Sequence, residues 1–222
     1  MFLGHYAVAF AAKRAAPESS LGTLFFASAF LDLLWPVLLL AGVERARIDP
    51  AIPGLSPLVF EHYPVSHSLL MACAWALLLA GVCYALTRSR RGAAAVAGLV
   101  VGHWLLDALV HRPDLLLLLP GGETRFGLSL WNWPMASAWV ELGLFAAGVL
   151  LYVSATPGQR RWPLWSLCAL LLAIFLGELL GPAPPSMAAV AWVGLAQALL
   201  VAAAAWVDRP PGSHPLVAAP AP

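Results

Sequence analysis

Six stretches of this chain, at about residues 19–42, 64–86, 93–119, 135–154, 163–181 and 186–206, are apolar over the length needed to cross a bilayer. About 20 residues of helix span the hydrocarbon core, and a backbone placed in lipid must satisfy its own hydrogen bonds. Continuous apolar runs of this length are therefore helices. The expected fold class is all-α, a polytopic transmembrane helical bundle of six membrane helices plus a short N-terminal helix over about residues 2–15. Composition agrees: 61% of the 222 residues are hydrophobic and 10% charged, against about 25% charged in soluble domains. The reading is a single transmembrane domain over residues 1–207, with a metal-site half over about 1–119 and accessory helices over about 135–207. A Pro/Ala-rich tail over 208–222 has too little to bury and is expected to be disordered.

The basic residues order the spans. If the loop with Arg88, Arg90 and Arg91 is cytoplasmic, alternation puts Lys13, Arg14, Arg160, Arg161 and Arg209 on the same side, eight of the twelve Lys and Arg. The positive-inside rule then places the C-terminus in the cytoplasm of a plasma (inner) membrane, multi-pass, with Trp131 and Trp133 as an outer aromatic anchor. The charges of the first 14 residues follow the apolar stretch, the reverse of a signal peptide, so that stretch is read as structure. A net charge of +1 with no basic stripe excludes nucleic acid as a partner; the bilayer itself is the partner. Cys73, Cys83 and Cys168 lie in apolar runs without CxxC spacing and read as small hydrophobes. The sequence assigns no oligomeric state.

One run breaks the apolar rule. Val101 to Pro120, VGHWLLDALVHRPDLLLLLP, carries His103, Asp107, His111, Arg112 and Asp114, although a charge at the bilayer centre costs about 2.5 to 3.5 kcal/mol on insertion scales. Helical steps of about 100° put Asp107 about 40° and His111 about 80° from His103, on one stripe, with Arg112 on the far side. Pro113 is expected to kink or end the helix. A His and an Asp four apart present a nitrogen and an oxygen to one point, as a helix does for a metal; hydrogen-bonded pairs that pin helices are the alternative.

The other polar residues fall at the same depth. Asp32 lies just past the middle of its run, His62 and His67 open the second, and His5 stands about 12 Å above Lys13 on a rise of 1.5 Å per residue. Glu141 and Glu178 also lie in outer halves. In EHYPVSHSLL, Pro64 and Ser66 are ordinary helix-start residues, Ser66 as a cap, but helix starts do not require His62 and His67. Five of the six histidines thus share one layer.

The order Gly4-His5, Asp32, HYPVSHSLL and VGHWLLDALVH resembles the YdjM-like inner-membrane family, described as membrane-bound metal-dependent hydrolases, over about the first 115 residues. The family pattern is Gly-His, P-D-x-D, H-R-x-x-T-H-S-L and a later His and Asp four apart. More distantly, the order is similar to the ligand order of the zinc phospholipase C and single-strand nuclease superfamily. The resemblance implies metal ligation by His5, Asp32, His67, His103 and Asp107, with His62 and His111 as further candidates. Leu34 stands where the family has its second acid, Tyr63 replaces the Arg of the box, and Ser66 replaces Thr but keeps the hydroxyl. Losing that Arg removes a bidentate anion clamp.

The expected function is a membrane-embedded metal-dependent hydrolase. Zn²⁺, or another divalent transition metal, would activate water against a lipid or amphipathic (phospho)ester at headgroup depth in the outer half of the bilayer. His62 and His111 are its catalytic proton carriers. The alternatives are a proton- or metal-coupled transporter and a zinc amidase of ceramidase type. Glu44, Arg45, Arg47 and Asp49 are expected to form a solvated outer loop, and Gly98, Gly143 and Gly148 to allow close helix packing.

Overall fold

The computed structural model describes residues 1–118 and 124–208; Glu123, Arg209, His214 and the C-terminal tail lie outside the described residues. Helix α1 spans Leu3–Ala12, α2 Leu21–Leu40, α3 Pro64–His67, α4 Leu69–Thr87, α5 Arg90–Val110, α6 Pro134–Ala155, α7 Arg161–Leu180 and α8 Met187–Val207. Six of these, α2 and α4 to α8, are long and apolar enough to cross a membrane, and the chain is an all-α helical bundle of the multi-pass kind. Leu77, Leu86, Leu180 and Leu199 are each more than seven-tenths exposed. Such a surface is unfavourable against water and natural against lipid.

The helix starts follow from local chemistry. The hydroxyls of Ser20, Ser68, Ser89 and Ser186 accept the backbone N–H of Thr23, Met71, Gly92 and Ala189 at the starts of α2, α4, α5 and α8, a cap worth about 1 kcal/mol. The second apolar run is therefore not one helix. Ser68, with ψ of 147°, separates the single turn α3 from α4, and it is Ser68, not Ser66, that caps. The third run also ends early. His111 leaves the helix with ψ of 150° and Arg112 precedes Pro113, which disfavours the helical region for the residue before it. Residues 115–116 are then extended rather than helical.

Two small antiparallel hairpins, which the apolar pattern does not predict, cover one end of the bundle. Strand β1 (Arg45–Ile48) pairs with β2 (Leu58–His62), and β3 (Leu115–Leu116) with β4 (Arg125–Phe126). Arg112 ties this end together, donating to the carbonyls of Pro53 and Ser56 at 3.0 and 3.2 Å and to Asn132 Oδ1 at 3.1 Å. Trp131 is buried beneath the hairpins, with its ring 4.2 Å from that of His111, whereas Trp133 is 71% exposed. Of the two, only Trp133 is exposed as an anchor would have to be.

Close approach decides how the helices pair. A Cβ on Gly148 would collide with the Ala7 backbone, and one on Gly194 would stand 2.7 Å from Pro36 Cγ, so α6 lies against α1 and α8 against α2. Among the described residues, nothing stands within 4 Å of a Cβ built on Gly98 or Gly143, so these two do not mark a close approach. At the end of the bundle opposite the hairpins, Lys13 Nζ reaches Asp208 Oδ2 at 2.5 Å and the Ser19 carbonyl at 2.7 Å. The Leu21 N–H and Gln159 Nε2 also donate to Asp208, each at 3.1 Å, and the Tyr152 hydroxyl lies at the same distance from its Oδ1.

Candidate metal centre

Three helices and the α3 turn aim side chains at one point. On α2, Ser28 and Asp32 lie one turn apart on one face. Ser28 Oγ donates to the His5 carbonyl of α1, and the Ser28 carbonyl lies 2.7 Å from His103 Nδ1 of α5. On α5, His103 and Asp107 lie one turn apart, and Asp107 Oδ1 is 3.1 Å from His5 Nε2 and 2.9 Å from the Met1 amino nitrogen. His67 closes the cluster from α3, its Nε2 3.6 Å from both Asp32 Oδ1 and Asp107 Oδ2.

Ligand-capable atoms of His5, His103 and Asp107 lie within 4.8 Å of one another, as do those of Asp32, His67 and His103. His5, His67, His103 and Asp107 are buried, and Asp32, with 28% of its side chain exposed, is the open side. All five residues expected to ligate a metal converge.

The proton inventory shows what such a cluster lacks. A carbonyl can only accept, so the contact to Ser28 fixes the proton of a neutral His103 on Nδ1 and leaves a lone pair on Nε2. That Nε2 is fully buried and makes no hydrogen bond among the described residues, although Asp107 Oδ2 lies 3.0 Å away and Asp32 Oδ1 3.6 Å away. The Met1 amino group donates to Asp107 Oδ1, but at the two oxygens nearest His103 Nε2 acceptor faces acceptor. The His5 and His103 rings stack at 3.7 Å and 3°, a spacing that disfavours two imidazolium charges and suits neutral rings. Nitrogen and carboxylate donors around one point, with an orphaned lone pair among them, fit a divalent transition ion.

The two remaining candidates are not in this cluster. His62 ends β2 opposite Arg45, half-buried, and makes none of the described contacts that join the five. His111 lies beyond Asp107 under the hairpins, with Nδ1 3.0 Å from Asp114 Oδ1. The Tyr63 hydroxyl donates to the same oxygen at 2.6 Å. Burial, reinforced by the Asp114 carboxylate, holds the Tyr63 phenol well above its usual range, so it remains a donor. The Tyr63 ring stands between the two histidines, 5.5 Å from His67 and 6.3 Å from His111.

Two acids take other places than expected. Glu44 is not a solvated loop residue: it is 1% exposed and accepts the N–H groups of Val65 and Ser66 at the start of α3. Its only sequence signal is a carboxylate just after an apolar run. Arg47 and Asp49 do sit on the surface, 2.9 Å apart. Glu141 is buried on α6 and accepts the backbone N–H of Phe2 at 2.9 Å, anchoring the start of α1, while Glu178 is exposed on α7. Among the cysteines, Cys168 is buried, Cys83 half-buried and Cys73 exposed.

Compared with known proteins, the chain matches no family model, no curated protein and no solved structure.

Proposed function

We propose that this chain is a membrane-embedded metal-dependent hydrolase, with His5, Asp32, His67, His103 and Asp107 holding a divalent transition ion such as Zn²⁺. The observation that carries the reading is the buried Nε2 of His103, a lone pair without a hydrogen bond among carboxylate oxygens. A divalent ion bound there supplies the balancing charge and an acidified water.

The chain's own groups perform the rest. Ser28 orients His103 through its carbonyl, Asp107 joins α1 to α5, and Asp32 faces the open side, where substrate would approach. Asp114 accepts from Tyr63 and from His111 Nδ1, which leaves His111 Nε2 to take up and release a proton as an ester and water become acid and alcohol. His111 therefore suits the proton-carrying role better than His62. The substrate class is a lipid or amphipathic ester, in the outer half of a plasma membrane with the C-terminus cytoplasmic. In support, Lys13 and Asp208 meet at the end of the bundle away from the hairpins, as the alternation of basic loops requires.

Elemental analysis of purified protein tests the reading, with hydrolysis of ester-linked lipids in mixed vesicles. Wild type should carry stoichiometric transition metal, and His103→Ala should lose both metal and hydrolysis. Metal-free wild type, or a His103→Ala variant that keeps both properties, sinks the proposal. Metal-dependent ion uptake into proteoliposomes without hydrolysis would favour transport.

A further inference from the structure

We infer that Glu44 and Ser66 form a proton-ordering relay that holds His67 in the tautomer with its lone pair on Nε2, making Glu44 a positioning residue for the centre. The inference deepens the metal reading and rests on it for its consequence, though the relay has its own geometry.

Every donor in the relay can be assigned. Glu44 Oε1 accepts two backbone N–H groups, Val65 at 2.8 Å and Ser66 at 2.9 Å. Glu44 Oε2 lies 2.6 Å from Ser66 Oγ. Three donors converging on one buried carboxyl is the arrangement of an anion, which can only accept, so the Ser66 hydroxyl spends its single proton on Glu44. Ser66 Oγ also lies 2.7 Å from His67 Nδ1. With its proton committed, Oγ must accept there, and His67 carries its proton on Nδ1. The Nε2 of a neutral His67 then presents a lone pair to Asp32 and Asp107, each 3.6 Å away.

The frame around the relay is pinned independently. Trp75 Nε1 donates to the Val65 carbonyl and Trp104 Nε1 to the His67 carbonyl, both at 2.9 Å. A change at Glu44 can therefore alter proton order without releasing α3. Glu44 thus does for His67 what the Ser28 carbonyl does for His103. Both histidines reach the centre with the same nitrogen bare, the outer-sphere control on which metal affinity depends.

The discriminating substitution is Glu44→Gln. The two backbone N–H groups still require an oxygen, so the amide oxygen takes the Oε1 place and the NH₂ group faces Ser66 Oγ. The NH₂ must donate to Ser66, the Ser66 proton turns to His67 Nδ1, and the His67 proton moves to Nε2, where it blocks the ligand. The readouts are the ¹⁵N shifts of His67 in metal-free protein and Co²⁺ and Zn²⁺ affinity by titration. Wild type should show protonated Nδ1, Glu44→Gln protonated Nε2 with affinity about 10–100-fold weaker, and Ser66→Thr the wild-type pattern. Ser66→Ala, which removes only the hydroxyl, should weaken affinity and populate both tautomers. A wild-type His67 protonated on Nε2, or a Glu44→Gln variant with unchanged tautomer and affinity, overturns the relay. Should wild type bind neither metal while the tautomers behave as stated, the relay stands and the metal reading falls.

Discussion

The two ends of helix α1 each lead to a buried carboxylate that joins it to a distant helix. At the Lys13 end, Asp208 receives an ammonium, a backbone N–H and a side-chain amide, with the Tyr152 hydroxyl 3.1 Å from its Oδ1. At the His5 end, Asp107 receives the Met1 amino group, but Asp107 and Asp32 also face imidazole nitrogens, of which the Nε2 of His103 has only a lone pair to offer, as does that of His67 under the relay. The first cluster is complete in itself, since each acceptor has a donor; the second has a surplus of acceptors. Burial of polar groups thus does not distinguish the two clusters. The balance of donors and acceptors does, because an unmatched buried group costs the desolvation that a partner would repay.

The contrast can be broken from either side. The largest effect is expected from Lys13→Met, which leaves Asp208 without its cation. Removing one partner of a buried pair costs about 3–5 kcal/mol, read as a lowered unfolding midpoint, while metal affinity should not change. A fall in metal affinity would mean that the two clusters are not independent.

Next in size is the response to metal. Zinc at about 100 times its dissociation constant should stabilise the fold by about 2.7 kcal/mol, reversed by chelator, and the same increment should appear in Lys13→Met. No increment in wild type would mean that the His5 cluster is balanced after all. The smallest effect is expected at Asp49 on the hairpin, where the Arg47 guanidinium holds the carboxyl below its usual range. A depressed carboxylate helps above its unfolded value of about 3.9 and loses that help as pH falls through the lower folded value. Asp49→Asn should therefore leave metal binding as it is and lower neutral-pH stability only slightly, a difference that shrinks as pH falls through the folded value.

Much of this was legible along the chain. Apolar length marked the six long helices, and the i, i+4 spacing of His103 and Asp107 placed them on one face, as found. The five ligand candidates came from a resemblance in residue order together with a shared depth, and the structure gathers them. Glu44 reads in sequence as a solvated loop acid, because the hairpin that folds it beneath α3 announces itself only by the four alternating residues Arg45–Ile48, and its partner Leu58–His62 does not alternate. His62 and His67 looked alike in sequence, but the α3 turn carries only His67 to the centre.

Sequence alone determined that the chain must fold as apolar helices, since hydrocarbon leaves a backbone few other ways to satisfy its hydrogen bonds. It also determined that its few ionisable groups must find partners within the bundle. Which partner each found was decided only by the tertiary structure. Periodicity assigns a side chain to a face of its own helix, whereas the Ser28 carbonyl opposite His103 and the Glu44 carboxylate behind Ser66 come from chain 75 and 22 residues away. Those distant contacts set where the imidazole protons sit, and through them which nitrogens face the centre.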